Sequence, residues 1–359
     1  MPETNSRVTL RDVAAAAGCH FSTVSLALHD HPRLPLATRR RVQEIARSLG
    51  YVADPMLVSL AHYRSAKRPL RFQSTLAWIT NFPTRQGWSS AELFHQYFIG
   101  AVNRAQALGY KLDPFWVREP GMTPARASQI LRARNITGLL IAPQPAAGTT
   151  LELEWDLFSA TSIGYTLSRP SLHVVGNHQY RSMKLALQRL IELGYQRIGF
   201  VMLDASDVRA DHNWLAAYLV MQQQMPPDQR LPHLLLPHWD EAAFSAWFQK
   251  HRPTAIVTKS QEVLGALKLL GVRVPAEVGV AFITLPHVGG QFSGIDENPG
   301  EVGAAAVNYL AGMLHRNERG IPTSPQRLLI EGSWIEGRTV RSVQGNRKPS
   351  RVAAKRIAS

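Results

Sequence analysis

Two short helical patterns with a three-residue corner between them open the chain. In VTLRDVAAAAGCHFSTVSLAL, Val8 to Leu28, apolar residues recur at helical spacing on both sides of Gly18-Cys19-His20. Thr9-Leu10-Arg11-Asp12 has the capping-box form, which predicts a helix starting at Leu10. Leu10, Val13, Ala14 and Ala17 make its apolar stripe, and Gly18 supplies the left-handed residue that ends it. A second stripe follows at Val24, Ala27 and Leu28, leaving Phe21, Ser22, Ser25, Leu26 and His29 to point elsewhere. A third begins near Pro35 to Thr38, continues through Val42, Ile45, Ala46 and Leu49, and ends at Gly50. Three such helices close a small core. Their spacing matches a helix-turn-helix whose second helix enters a DNA major groove, and it also fits an ordinary helical bundle.

Charge bears on that choice. The chain has 359 residues and a formal net charge of +14, held at its two ends. Met1 to Arg71 has 11 basic and 5 acidic residues, and Arg338 to Ser359 has 7 basic and none acidic. Basic ends around a near-neutral body suit an anionic polymer, because clustered Lys and Arg gain affinity by releasing phosphate counterions. Solubility charge and a disordered tail are the plainer account of the same numbers.

Other classes find little support. Cys19 is the one cysteine, so no disulfide framework or cysteine metal cluster is expected. Its place at the corner suits a small apolar residue between helices. G-x-S-x-G, H-E-x-x-H, the P-loop and G-x-G-x-x-G are all missing, and His20, His29, His31 and His62 lack metal-ligand spacing. No catalytic residue, cofactor or metal is therefore expected. The start MPETNSRVTL lacks a secretion-signal core and no window is apolar enough to span a bilayer, so the expected compartment is the cytoplasm, with no membrane partner.

Asp54-Pro55 begins another helical stretch that runs to Arg64, with Asp54 as cap and Pro55 at the first helical position. A helix this short needs a partner to stay folded. From Thr75 strands alternate with helices: STLAWITNF, ITGLLIAP, LHVVGN, RIGFVML, TAIVTK and VGVAFITL as strands, and ELFHQYFIGAVNRAQALGY, QYRSMKLALQRLIELGY and SQEVLGALKLLGV as helices. This alternation predicts parallel sheets covered on both faces by helices, with ligand sites beyond the carboxyl ends of the strands.

The opening stretch, together with TRRRVQEIARSLGYVADPMLVSLA, resembles the headpiece of the LacI/GalR family of bacterial transcriptional regulators. The match runs without a gap through Thr9, Leu10, Asp12, Val13, Ala14, Ala17, Gly18, Thr23, Val24, Ser25, Thr38, Arg39, Val42, Leu49, Gly50 and Tyr51. The resemblance implies that Phe21, Ser22 and Leu26 face base edges, and that Thr9, Thr23, Ser25 and His29 lie near the phosphate backbone. It makes the stretch after Asp54 a hinge helix that folds on DNA, with Leu60 as its minor-groove wedge. Leu26 departs from the family, which usually has arginine or another polar reader there. Leucine cannot make the bidentate guanine contact, so Phe21 and Leu26 are expected to read thymine methyls or similar apolar edges.

The body resembles the family's two-lobed effector domain, of periplasmic-binding-protein fold, through LIELGYQRIGF, GVRVPAEVGVAFI and LIEGSWIEGRTV. The resemblance implies three crossovers and a cleft between the lobes. Relatives that bind sugars or purines have an arginine where Trp214 stands, an Asn-Asp pair at Lys259-Ser260 and an Asp pair at Thr284-Leu285. Asn81, Tyr165, Arg209, Asn213, Trp214, Lys259, Thr284 and His287 are the expected cleft residues, and their chemistry puts an ordinary sugar in doubt.

The expected organisation is thus an α headpiece over residues 1–53 and a hinge helix and linker over 54–71. An α/β two-lobed effector and dimerisation domain follows over 72–340, then a basic, disordered tail over 341–359. The expected function is that of a homodimeric repressor on double-stranded operator DNA, answering to a small-molecule effector. An effector-independent or architectural DNA binder is the alternative, favoured by the altered cleft and the basic tail.

Overall fold

The computed structural model describes residues 8–28, 34–51, 74–286 and 290–343. The expected hinge helix with Leu60, together with His29, His287 and tail residues 344–359, lies outside these. The chain divides into two compact units, residues 1–73 with 312–318 and residues 74–311 with 319–359.

The first unit contains α1 (Leu10–Ala17), α2 (Phe21–Leu28) and α3 (Leu36–Ser48). The capping box forms: Asp12 N donates to Thr9 Oγ1 at 3.4 Å, and Thr9 N donates to Asp12 Oδ2 at 2.7 Å. These bonds from Thr9 hold the Asp12 carboxyl below its ordinary range. Gly18 ends α1 at φ 60°, the left-handed conformation that only glycine enters without strain. Val13, Ala14, Ala17, Val24, Ala27, Val42 and Ala46 form the core, with Cys19 packed at its margin. The guanidinium of Arg41 donates to Ala17 O at 3.2 Å and the amide of Gln43 to Ala27 O at 2.9 Å. Two carbonyls that the ends of α1 and α2 leave open are thereby satisfied from α3. Leu49, expected in this core, is 39% exposed. It caps α3, so the chain turns there and Tyr51 packs against the core instead.

The second unit holds two six-stranded sheets. One contains β1 (Ser74–Thr80), β2 (Tyr110–Trp116), β3 (Gly138–Ile141), β5 (Ser159–Ile163), β7 (His173–Asn177) and β13 (Arg327–Ile330), in the order β13-β7-β5-β3-β1-β2. Every pairing in it is parallel. The other contains β8 (Ile198–Leu203), β9 (Leu234–Leu236), β10 (Ala255–Thr258), β11 (Gly279–Phe282), β12 (Ser293–Asp296) and β14 (Ser333–Ile335), in the order β14-β12-β11-β10-β8-β9. Only its β12–β14 pair is antiparallel. A small parallel pair, β4 (Thr149–Thr150) and β6 (Leu167–Arg169), completes the strands.

The first lobe carries α4 (Glu92–Ala107), α5 (Pro124–Ala133) and α11 (Pro299–Arg316), and the second carries α6 (Gln179–Glu192), α7 (Asp204–Arg209), α8 (Asn213–Gln224), α9 (Glu241–His251) and α10 (Glu262–Leu269). Each lobe has its own apolar core: Ile79, Leu139, Ile141 and Phe158 in the first, Phe200, Tyr218, Val257 and Ile283 in the second. Helices α4 and α11 approach at glycines. A Cβ on Gly303 would meet Tyr97 O at 2.0 Å, and one on Gly100 would meet Gly300 O at 2.0 Å.

The chain passes between lobes three times, after β7, after β12 and after β13. Asn177, fully buried, ties the three passages together. Its Nδ2 donates to Glu297 O and to Ile330 O, both at 3.2 Å, while its Oδ1 accepts from Ser182 Oγ at 2.9 Å. Asn298, at φ 51°, adds a bond from its Nδ2 to Glu331 O at 2.8 Å. The crossover region is therefore a hydrogen-bonded node, which fixes where the lobes meet.

Candidate functional site

Two groups of residues qualify, one in each unit. In the first, α2 buries Val24 and Ala27 and presents its other face outward: Phe21 is 50% exposed, Ser22 and Thr9 are exposed, and Thr23, Ser25 and Leu26 are half-buried. His20 starts the helix. Its Nδ1 accepts from Ser22 N at 3.4 Å and lies 2.8 Å from Ser22 Oγ, and its ring lies 4.3 Å from that of Phe21. The direction of the bond between the Ser22 hydroxyl and the ring nitrogen follows the imidazole tautomer, and either way it ties Ser22 to the helix start. Sequence reading placed His20 only in the corner. Its acceptor role, two residues before a serine at a helix start, was the signal available for it.

The second group gathers at the carboxyl ends of the strands in the two-lobed unit. Lys259 follows β10, Thr284 follows β11, Glu297 follows β12, and Arg209 and Trp214 lie on the helices after β8. The first lobe contributes Phe94 and Tyr97 from α4 and Gln144 after β3. The Lys259 Nζ lies 5.6 Å from the centroid of the Trp214 ring, and the Arg209 Cζ lies 5.3 Å from that of Phe94. Arg209 spans the lobes, donating from one guanidinium nitrogen to Gln144 O and Pro145 O, both at 2.9 Å.

Burial dominates the electrostatics. Glu297 is 3% exposed, and desolvation pushes its carboxyl up to about 7 against the opposing pull of Lys259 and the nearby Thr284 hydroxyl. Burial lowers the Lys259 ammonium, against the pull of Glu297. It lowers Arg209 as well, and it raises Tyr97, whose charged form Glu297 further disfavours. Four buried polar atoms here have no hydrogen-bond partner beyond that pull of the Thr284 hydroxyl on Glu297: Gln144 Oε1, Trp214 Nε1, Thr284 Oγ1 and Glu297 Oε1.

Local structure explains the placement. Asp207, fully buried, accepts from Leu215 N at 3.1 Å and lies 2.9 Å from His212 Nδ1, so it caps α8 in place of the left-handed His212 and fixes Trp214 in the first turn. Trp214 is 4% exposed and joins the core of the second lobe, with its indole N–H left over.

Of the expected cleft residues, the structure brings Arg209, Trp214, Lys259 and Thr284 together. Tyr165 is not among them by any direct contact: its ring faces the guanidinium of Arg327, 6.0 Å from the ring centroid. Asn213 spends its amide on the Ala210 and Asp211 carbonyls of its own turn. Asn81 lines a cavity within the first lobe, with Met122, Thr150 and Glu152. Glu297, Tyr97, Phe94 and Gln144 were missed by sequence reading. Only the position of Gln144 directly past the apolar run ITGLLIAP pointed to it; the strand before Glu297 was not read from the sequence, and Phe94 and Tyr97 read as plain helix.

Among the described residues, no group of three or more His, Cys, Asp or Glu could hold a metal ion, and no helix is long and apolar enough to cross a membrane.

Comparison with known proteins assigns families to both units. Residues 9–54 match the bacterial regulatory proteins of the lacI family, and residues 187–340 match the periplasmic binding protein-like domain. The lactose operon repressor of Escherichia coli K12 is 24% identical over 289 residues, covering 76% of this chain and 74% of its own. The transcriptional regulator TreR of Salmonella typhimurium is 26% identical over 271 residues, covering 74% and 79%. The solved structure of the transcriptional regulator CelR in complex with cellobiose superposes with a TM-score of 0.53 at 20% identity, covering 93% of this chain and 100% of that one. The fold is thus that of an N-terminal helix-turn-helix followed by a periplasmic-binding-protein-like α/β domain.

Proposed function

For a chain that belongs to the lacI family of bacterial regulatory proteins, and is a transcriptional regulator with that family's DNA-binding domain, we propose the following mode of action. It works in the cytoplasm as a homodimeric repressor, and a small molecule in the interlobe cleft sets its hold on a near-palindromic operator. The observation that carries this reading is α2 itself. It is closed against α1 and α3 by Val24 and Ala27, with Phe21 and Ser22 left exposed at its N-terminal end. That is the end through which a recognition helix contacts base edges.

In this reading Phe21, Ser22 and Leu26 select bases, while Thr9, Thr23, Ser25 and His29 set register on the phosphates. Leu60 wedges the minor groove between half-sites. Two-fold pairing of the protein demands paired half-sites in the DNA. The effector acts by preferring one arrangement of the lobes over the other, since equal affinity for both would shift nothing. The Asn177 node and the Arg209 span lie where such an arrangement is decided.

Selection from a random duplex pool by the full-length protein, at fixed near-physiological salt, tests this. An enriched inverted repeat is the expected result. Salt-sensitive retention without an enriched motif overturns it and supports an architectural binder.

A further inference from the structure

The interlobe cleft holds a lysine and a glutamate that do not meet. Lys259 and Glu297 are close enough to feel each other's charge, yet no salt bridge joins them. The Lys259 ammonium has its contact with the Trp214 ring and no hydrogen bond to any described residue. Trp214 Nε1 and Gln144 Oε1 are buried in the same neighbourhood and unpartnered, and Glu297 Oε1 and Thr284 Oγ1 have no partner beyond the pull of the Thr284 hydroxyl on the Glu297 carboxyl. Buried polar groups with unused capacity are rare and costly, and these, beside an ammonium without a hydrogen bond, are the groups a polar ligand can pair.

The two sides of the cluster want opposite things. Lys259 and the Trp214 indole N–H are donors with a positive charge between them, and they call for an anionic acceptor. Gln144 Oε1 calls for a donor, and so does Glu297 Oε1 once its carboxyl is ionised, above about pH 7. That donor is better neutral, because Arg209, held by the Gln144 and Pro145 carbonyls, acts on the same Tyr97 that Glu297 does. An ammonium there would face Arg209 as well as Lys259. Asp296 is beside Glu297 but its Oδ1 is engaged by Asn298 N at 3.0 Å. An uncharged polyol can both donate to the acceptors and accept from the ammonium, but it brings no charge to set against the buried Lys259 and Arg209.

We propose that the cleft takes a small hydroxycarboxylate, its carboxylate on Lys259 and Trp214 Nε1 and its hydroxyl toward Glu297 and Gln144. This rests on the effector reading given above, and it names the chemical class of the ligand.

The experiment titrates the full-length protein with glycerate, malate and gluconate at constant ionic strength, and with glycerol and glucose as uncharged counterparts. Thermal unfolding and tryptophan fluorescence are the readouts. The expected result is a higher Tm and a changed emission with at least one hydroxycarboxylate and with neither polyol. Lys259→Met keeps the aliphatic stem over Trp214, and it should weaken that binding by about tenfold or more. Glu297→Leu serves as the second variant if Lys259→Met does not fold; it deletes the acceptor for the hydroxyl and should weaken binding of the same acid.

Binding of glycerol or glucose that survives Lys259→Met overturns the inference, as does silence with all three acids. Affinity for the selected duplex separates the two levels. If a polyol binds and alters it, the hydroxycarboxylate assignment fails and the effector reading stands. If no compound binds or alters it, both fail.

Discussion

The ammonium of Lys259 lies 5.6 Å from the ring centroid of Trp214, while the indole N–H of that same ring has no partner. The ring face is used and the ring nitrogen is not. Trp214→Phe keeps an aromatic face under Lys259 and deletes the unpaired donor. Its expected cost is below about 1.5 kcal/mol, since loss of a buried unsatisfied N–H offsets part of the lost volume. Urea unfolding checks this, and a cost above about 3 kcal/mol would show that the N–H is bonded in solution.

Glu297 gives the stability a pH dependence of known sign. Its carboxyl holds a proton up to about 7 in the folded chain, against an ordinary value of 4.5. The folded state therefore binds more protons between those values, and the contribution, present in full below about 4.5, is lost as pH rises through 7. The shift corresponds to about 3 kcal/mol. Glu297→Gln is neutral throughout and should flatten the decline, as seen in Tm measured from pH 5 to pH 8 against wild type.

Asn177 makes its three hydrogen bonds with 0% exposure. Asn177→Ala removes the Glu297 carbonyl's and the Ser182 hydroxyl's bonds to it at the crossovers, while Ile330 O keeps its bond from His178 N at 2.9 Å, and the expected loss is about 3 kcal/mol. Ser182→Ala removes one bond alone and should cost about 1 kcal/mol. Equal losses in the two variants, measured by urea unfolding, would contradict the node.

The close approach of α4 and α11 admits no side chain at Gly303, where a Cβ would meet Tyr97 O at 2.0 Å. Gly303→Ala must push the helices apart, and about 3 kcal/mol of destabilisation is expected. Gly265, on α10 with open space around it, is the control. Gly265→Ala should stabilise by up to about 1 kcal/mol through helix propensity.

What could be read in advance follows from physics that is local. The capping box at Thr9 and Asp12, the left-handed Gly18 and the stripe of α2 are decided within a few residues, and each forms as the spacing predicts. Strands with continuous apolar runs, such as Leu139 to Ile141, were equally plain. β2 was not singled out, because Pro114 interrupts it; it is an edge strand, where a missing N–H is tolerated. β5, Ser159–Ile163, is buried throughout despite its polar composition, with the Thr161 and Ser162 hydroxyls donating to His173 O. The cleft was legible only as strand ends. That Glu297 lies near Lys259 and Arg209 depends on the strand order of the second sheet, which brings together residues 38 and 88 positions apart, and no local pattern carries that.

The central claim is that the outer face of α2 reads base sequence, with Leu26 among the readers. The most direct test repeats the duplex selection with Leu26→Arg. Leu26 is half-buried on a face opposite Val24 and Ala27, so the longer side chain can extend outward without entering the core. The account expects the preferred sequence to change at one symmetric pair of positions, toward guanine, because arginine can bond its O6 and N7 bidentately. An unchanged preferred sequence, with affinity retained, would contradict it.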